Sequence, residues 1–166
     1  MPVNNGTVNV FEMQHKDILI SVCENKSLLF WDSNNYSLNH TMNDICCDTG
    51  KHIIELPNGN IAMSSNMNAC PIIIIDPVKY IKVIEIAIDK SVCSSLCELD
   101  AHSFIFVFNE SIIQISSVDY TVIYQNNKEK LLSGNGGIVV MEQDNKKYFV
   151  TSNSSKGIEI ISVYYN

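Results

Sequence analysis

The sequence predicts an all-β fold made of repeated units of four antiparallel strands, and three observations support this prediction. Ile is abundant, whereas Ala occurs only four times in 166 residues, and this bias favours strands over helices. One strand-and-turn pattern recurs along the chain at a nearly constant spacing. The most helix-like stretch, residues 80–88, instead alternates at Ile84, Ile86 and Ile88, which is the period of a strand.

The repeat is clearest in an apolar strand that is followed by a polar turn. Residues 27–37 (SLLFWDSNNYS), 71–81 (PIIIIDPVKYI) and 111–121 (SIIQISSVDYT) share this pattern and carry a Tyr at the tenth position. A fourth copy, residues 157–166, begins with GIEIISV. The first residues of successive copies are 44, 40 and 46 positions apart, which is typical of arrays built from one unit of about 40–45 residues.

Flanking strands complete each unit in the order a, b, c and d. Strand b precedes each copy and ends in an Asn-bearing polar turn, which suits a hairpin because Asn tolerates positive φ. The predicted units are residues 8–42, 51–88, 91–125 and 138–166, and together they form a single repeat domain. Because the fourth unit ends after strand c, the chain holds fifteen predicted strands, or about 3.75 units.

Residues 18–32 (ILISVCENKSLLFWD) resemble a WD40 repeat, because two strands joined by a turn close on the dipeptide Trp31-Asp32. Residues 52–76 are similar to the same pattern, with Ile75 at the Trp position. The resemblance spans nearly the whole chain. It implies a β-propeller, in which stacked four-stranded blades bury one another's apolar faces.

The chain departs from the WD40 pattern in its polar residues. WD40 repeats usually carry a Gly-His pair between strands d and a and an Asp in the b–c turn, which form a buried hydrogen-bond network with the Trp and a Ser. This sequence contains no Gly-His pair, and Trp31 is its single Trp. We therefore expect the network to be absent from every unit. A generic propeller, and a solenoid or sandwich of repeated hairpins, stay open as alternatives.

The composition argues against several classes of function. All eleven basic residues are Lys and the net charge is −7, whereas a nucleic-acid-binding surface needs a basic footprint. The chain has neither an apolar run near the roughly 18 residues of a membrane span nor a signal peptide, so we expect a cytoplasmic protein without a membrane span. Its six Cys lack zinc-motif spacing and are predicted to be free thiols. We predict no metal site and no cofactor.

We expect a non-enzymatic protein–protein interaction scaffold that binds a protein or peptide through the loops of one propeller face. The WD40 resemblance implies that the b–c turns and the d–a loops form this face. The corresponding b–c residues are Glu24, Asn25, Lys26, Asn66, Asn68, Asn109, Glu110, Asn153 and Lys156, and the d–a residues are His40, Asn43, Asp44, Asp89 and Asn127. This polar, mildly acidic surface suits hydrogen bonding to a peptide backbone.

Two other classes of function stay open. A propeller-fold glycoside hydrolase needs paired carboxylates, and Glu55, Glu98 and Glu142 fall near the end of strand a in successive units. A third class is a structural segment of a larger coat or assembly. Because the predicted end units expose apolar faces and the fourth unit has an open strand edge, we expect the isolated chain to self-associate or to be part of a longer propeller.

Overall fold

The structure is a computed structural model that describes residues 6–45, 50–65, 71–87, 93–108, 111–126, 138–143, 146–153 and 157–163. These residues contain fifteen β-strands and no helix, and none of them forms a helix able to cross a membrane. The chain divides into two compact units, Met1–Val92 and Cys93–Asn166. The all-β prediction and the predicted number of strands are therefore confirmed for the described part of the chain.

The first unit contains two four-stranded antiparallel sheets. Each sheet is a meander in which strands adjacent in sequence are neighbours in space. The first sheet consists of β1 (Thr7–Glu12), β2 (Ile18–Cys23), β3 (Leu28–Asp32) and β4 (Leu38–Met42). The second sheet consists of β5 (Gly50–Glu55), β6 (Ile61–Ser65), β7 (Ile72–Asp76) and β8 (Ile81–Ile86).

The second unit contains the third and fourth sheets, which follow the same meander. The third sheet consists of β9 (Cys93–Asp100), β10 (Ser103–Phe108), β11 (Ser111–Ser116) and β12 (Val122–Asn126). The fourth sheet has three described strands, β13 (Ile138–Gln143), β14 (Lys146–Asn153) and β15 (Gly157–Val163). Strands a to d of the sequence repeat therefore correspond to the successive strands of each sheet.

The recurring Tyr lies in the turn between strands c and d, in an unusual backbone conformation. Tyr36, Tyr80 and Tyr120 have φ values of 58°, 55° and 61°, the left-handed region that bulky residues rarely adopt. A polar residue four positions earlier stabilises each turn by accepting hydrogen bonds from backbone N–H groups two and three residues further on. These accepting residues are Asp32, Asp76 and Ser116.

Strand register defines one repeated row of residues in every sheet. In the first sheet, Trp31 on β3 pairs with Leu19 on β2, which pairs with Glu12 on β1. The corresponding rows in the later sheets run from strand c to strand a as Ile75–Ile61–Glu55, Ile115–Phe104–Glu98 and Ile161–Phe149–Val140. Glu55 and Glu98 therefore occupy equivalent positions, whereas Glu142 pairs with Lys147 two residues beyond the row.

The first and second sheets pack face to face in one hydrophobic core. The first sheet contributes its inner face, which includes the fully buried Ile20, Leu28 and Phe30. The facing side of the second sheet contributes the buried Ile61, Met63, Ile73 and Ile75. Strand β7 is buried on both faces, because all four of its Ile residues, 72 to 75, are buried although side chains alternate along a strand.

The third and fourth sheets share a second core within the second unit. Leu99, Ile105, Val107 and Ile112 of the third sheet are buried, and Val140 of the fourth sheet packs against them. In the row described above, Val140 is the strand-a residue equivalent to Glu12, Glu55 and Glu98. The contact therefore joins the same two kinds of sheet face as the contact between the first and second sheets.

One polar contact was not expected from the sequence. The indole N–H of Trp31 donates a 2.9 Å hydrogen bond to the hydroxyl oxygen of Ser21, and Ser21 is only 6% exposed. One bond of the WD40 network, from the Trp to a Ser, is therefore present in the first sheet, although the sequence lacks the Gly-His pair and the Asp of the turn. The two residues lie on adjacent strands and on the same face, because Leu19 pairs with Trp31 and Ser21 lies two residues further along β2, opposite Leu29.

Polar contacts also join the first two sheets at the edge that carries the a–b turns. The Glu55 carboxylate accepts a 2.7 Å hydrogen bond from the backbone N–H of Gln14 and lies 3.4 Å from Nδ1 of His15. Lys16 donates to the carbonyl of Gly59 at 2.6 Å. Gly59 has a φ of 79° and closes the predicted turn at residues 57–60, where a Cβ would come within 2.9 Å of Lys16 Nζ.

Candidate functional site

The b–c turn of the first sheet is a short, hydrogen-bonded loop. Cys23 and Ser27 close it through a 2.9 Å bond from N–H to carbonyl, and the N–H of Lys26 donates to the carbonyl of Cys23 at 3.0 Å. Lys26 has a φ of 66°, and the Asn25 side chain accepts hydrogen bonds from the backbone and hydroxyl of the buried Ser27. The turn backbone is therefore fixed while the side chains of residues 24–26 are exposed.

Two other segments of the first sheet meet this turn. The N–H of Ile45, which follows β4, donates to the carbonyl of Lys26 at 3.0 Å. The N–H of Glu24 donates to the carbonyl of Gly6, just before β1, at 2.9 Å. We call this edge, formed by residues 6, 24–26 and 43–45, the turn edge of the first sheet.

The turn edge presents polar and charged side chains to solvent. Glu24, Asn25, Lys26, Asn43 and Asp44 are all exposed, so the edge combines two carboxylates, one ammonium group and two amides. Asp44 has a φ of 54°, which Asp tolerates better than most residues. Five of the predicted binding residues are thereby gathered on one hydrogen-bonded edge.

His40 belongs to a different part of the first sheet. It was placed in the d–a loop from the sequence, but it lies inside β4, which ends at Met42, and it pairs with Phe30. Its ring stacks on Tyr80 of the second sheet, with centroids 4.3 Å apart and planes at 14°. His40 therefore contributes to the contact between the two sheets rather than to the turn edge.

The remaining predicted binding residues are only partly covered by the described structure. Asn153 is the last residue of β14 and pairs with Gly157, which places its backbone at the b–c end of the fourth sheet. The predicted residues outside the described part of the chain are Asn66, Asn68, Asp89, Asn109, Glu110, Asn127 and Lys156.

Sequence reasoning missed two contributors to the turn edge, Gly6 and Ile45. Both act through backbone groups, which no residue pattern reveals. Gly6 has one detectable signal, because a Cβ there would come within 2.8 Å of the Glu24 carboxylate.

The candidate hydrolase carboxylates lie at the opposite end of the strands. Glu55 is 10% exposed at its side chain and is engaged with Gln14 and His15, whereas Glu98 is exposed. Within the described ranges, no three His, Cys, Asp or Glu side chains are grouped in a way that could hold a metal ion. The geometry of Glu55 fits a contact that joins two sheets.

Comparisons with solved structures identify the architecture. The chain is similar to Sqt1 of Saccharomyces cerevisiae, with a TM-score of 0.76 and 10% identity over 98% of this chain and 47% of that one. It is similar to the WD40 repeats of RRP9, with a TM-score of 0.69 and 7% identity over 99% of this chain and 52% of that one. It is also similar to the computationally designed protein Ika4, with a TM-score of 0.69 and 9% identity over 97% of this chain and 93% of that one.

The chain therefore has the fold of WD40-type β-propeller blades, as the sequence resemblance implied. It spans about half the length of the Sqt1 and RRP9 chains. No family model matches the sequence, and no curated protein matches it. At identities of 7–10%, these similarities establish the fold alone.

Proposed function

We propose that the protein is a non-enzymatic interaction scaffold that binds a protein or peptide through the turn edge of the first sheet. WD40 propellers are in general protein-interaction scaffolds, so the fold supports this class of function. The single observation that carries the proposal is the bond from Ile45 N–H to the Lys26 carbonyl. It holds the b–c turn and the segment after β4 together and so forms one continuous surface.

The chemistry of the turn edge favours a polypeptide ligand. Its exposed amides and charges can pair with the N–H and C=O groups of an extended peptide, and the mixed charges favour a ligand that carries both signs. Because the turn backbone is already fixed by hydrogen bonds, binding does not have to order it. A cytoplasmic location belongs to the same proposal, and the free thiols of Cys23 and Cys97 suit a reducing compartment.

Peptide selection with matched charge variants tests the proposal. A phage-displayed random peptide library would be selected on the immobilised chain, and the enriched peptides would then be titrated against Asp44→Lys and Asp17→Lys. Both Asp residues are exposed and both substitutions change the charge equally, but Asp17 lies at the a–b turn, at the opposite edge. We expect Asp44→Lys to change Kd by about fivefold or more, equivalent to about 1 kcal/mol.

The control variant Asp17→Lys should leave Kd within about twofold. Equal effects of the two substitutions, or a library that yields no enriched peptide, would contradict the proposal. The hydrolase alternative makes a different prediction, because Glu55→Gln would then abolish turnover of a glycoside without changing peptide binding.

A further inference from the structure

Among the described residues, β8 is the outer edge strand of the second sheet. It stands last in the order of strands, and β7 is the strand to which it is hydrogen-bonded. Five of its six residues are exposed, and Ile81, Val83 and Ile84 are 49%, 43% and 39% exposed. An edge strand offers its outward N–H and C=O groups to another strand. Because neighbouring sheets in each unit pack face to face, a further sheet stacked in the same way would leave this edge open.

A bulge decides which side chains of β8 share a face. Two consecutive residues of β7 pair with Ile84 and Lys82, so Val83 is an extra residue outside the ladder. Because side chains alternate between successive ladder positions, the three Ile share one face and the Lys and the Glu share the other. The Lys and the Glu form an ion pair, which agrees with this arrangement. The ladder positions of β8 are, in order, Ile81, Lys82, Ile84, Glu85 and Ile86.

These five positions are self-complementary when they are aligned with a second copy in the antiparallel direction. Ile84 lies at the centre and is opposite Ile84 of the second copy. Lys82 is then opposite Glu85, and Ile81 is opposite Ile86. One face of the pair becomes a continuous row of Ile side chains, and the other carries two ion pairs between the strands. Pairs of apolar residues and pairs of opposite charge both stabilise neighbouring antiparallel strands.

The other two complete sheets show that this pattern is particular to β8. The register shifts at the equivalent place next to β4, between Phe30 and Trp31, and next to β12, between Gln114 and Ile115. The sequences of β4 (LNHTM) and β12 (VIYQN) contain neither a Lys nor a carboxylate. Neither strand can therefore form complementary charge pairs with its own copy.

We propose that β8 pairs with β8 of a second copy of this chain, so that the two second sheets join into one continuous antiparallel sheet. The contact is symmetric, with a two-fold axis through the pair of Ile84 residues. Lys82 and Glu85 disfavour strands without matching charges and thereby select this partner. The inference goes beyond the proposed function and uses a different sheet, and each dimer carries two turn edges.

Charge exchange tests this dimer by light scattering after size-exclusion chromatography. The wild-type chain should have twice its mass of 18.6 kDa. Lys82→Glu and Glu85→Lys should each weaken the dimer by about tenfold or more, because each change turns both ion pairs into repulsions. Glu98→Lys is the matched control, since Glu98 is an exposed strand residue outside β8, and it should leave the dimer unchanged. Far-ultraviolet spectra establish that each variant is folded.

Mixing the two charge variants gives a sharper result. A strand with two carboxylates then meets a strand with two ammonium groups, so an equimolar mixture of Lys82→Glu and Glu85→Lys should form dimers again. A wild-type monomer at all concentrations, or a mixture that stays monomeric, would overturn the proposal.

Disulfide crosslinking tests the register independently of charge. Paired Cα atoms in an antiparallel ladder are about 4.5–5.5 Å apart, a distance that a disulfide spans. With oxidised glutathione, Ile84→Cys should therefore give a covalent dimer on a non-reducing gel. Ile81→Cys is the control, because the two substituted positions would lie about 13 Å apart along the paired strands, and it should not exceed the wild-type background. Equal crosslinking of the two variants would contradict the proposed pairing.

Discussion

At the scale of single residues, Trp31 shows how a structural contact can escape a sequence pattern. The Gly-His pair and the turn Asp that mark the WD40 network are missing from this sequence, yet Trp31 still bonds to Ser21. The bond requires only that Ser21 lies on the adjacent strand, two residues along from Leu19, which pairs with Trp31. Register is decided by turn geometry and by burial of one face, so the sequence pattern alone did not reveal the pair.

The Trp31–Ser21 bond leads to a double-mutant prediction. Trp31→Phe should lower the free energy of unfolding by about 2–3 kcal/mol, because it removes packing and leaves the Ser21 hydroxyl without this donor. In a cycle with Ser21→Ala, urea denaturation should give a coupling energy of about 1 kcal/mol. A coupling energy of zero would show that the bond contributes nothing to stability.

Cys97 is a second residue whose behaviour follows from its surroundings. It packs against the core of the second unit, and burial raises the pKa of its thiol to about 12. Because the thiolate is the reactive form, iodoacetamide at pH 8 should leave Cys97 unmodified in the native protein and modify it fully in urea. Peptide mass spectrometry measures this, and rapid labelling of the native thiol would contradict the packing described.

At the scale of elements, the strand pattern was predicted well and the alignment between strands less well. Asp17 and Asn60 are polar residues that each precede an apolar strand b, and aligning them matches Ile18 with Ile61. The structure instead places Ile61 in the position of Leu19, because these residues pair with Ile75 and Trp31. A shift of one residue exchanges the two faces of a strand, so the sequence could locate β6 without showing which side chains meet the first sheet.

For the candidate site, the residues of the b–c turn were predictable from the sequence, but the contacts that hold the site together were not. Glu24, Asn25 and Lys26 lie in the b–c turn as predicted, because a polar Asn-bearing segment between two apolar strands indicates a hairpin turn. The pairing of Ile45 with Lys26 involves backbone groups alone, and the position of Glu142 two residues beyond the row is a matter of strand register. Neither leaves a signal in residue type.

The c–d turn of the second sheet carries a prediction about acid stability. Burial alone would raise the pKa of Asp76. Hydrogen bonds from Lys79 and Val78, together with the charge of Lys79, lower it by more, so that the pKa lies below its ordinary value of 3.8. A depressed carboxyl pKa stabilises the fold above about pH 4, and the contribution is lost as the pH falls through the lowered pKa.

Asp76→Asn keeps a side-chain acceptor for the turn but removes the charge. Its deficit in urea midpoint relative to wild type should therefore be present at pH 6 and should shrink at pH 2.5. Ser116 occupies the same turn position without a charge, so Ser116→Ala should show a deficit that does not shrink in this way. A deficit for Asp76→Asn that is equal at both pH values would contradict the assignment.

Glu55 and Glu98 form a matched pair for the contact between the first two sheets. The two residues share one register position, but Glu55 holds the backbone of Gln14 while Glu98 is exposed. Glu55→Ala should lower the free energy of unfolding by about 1–2 kcal/mol, and Glu98→Ala should change it by less than about 0.5 kcal/mol. Equal effects in urea denaturation would show that Glu55 does not join the sheets.

At the scale of the whole molecule, one relationship is repeated within each unit: the inner face of one sheet packs against the facing side of the next. In the first unit, the clearest contact of this kind is made by Tyr80 of the second sheet. Its backbone is left-handed, and its ring packs against Phe30 and stacks on His40 of the first sheet. The packing of neighbouring blades within each unit follows from it.

Nuclear Overhauser spectroscopy on a sample with protonated Tyr and His in a deuterated background tests this relationship most directly. The stacked rings of Tyr80 and His40, with centroids 4.3 Å apart, should give strong cross-peaks that disappear in His40→Ala. The two residues are 40 positions apart in the chain, so only the packing of the second sheet on the first can produce these cross-peaks. Their absence from a folded, all-β sample would contradict the packing of the sheets as neighbouring propeller blades.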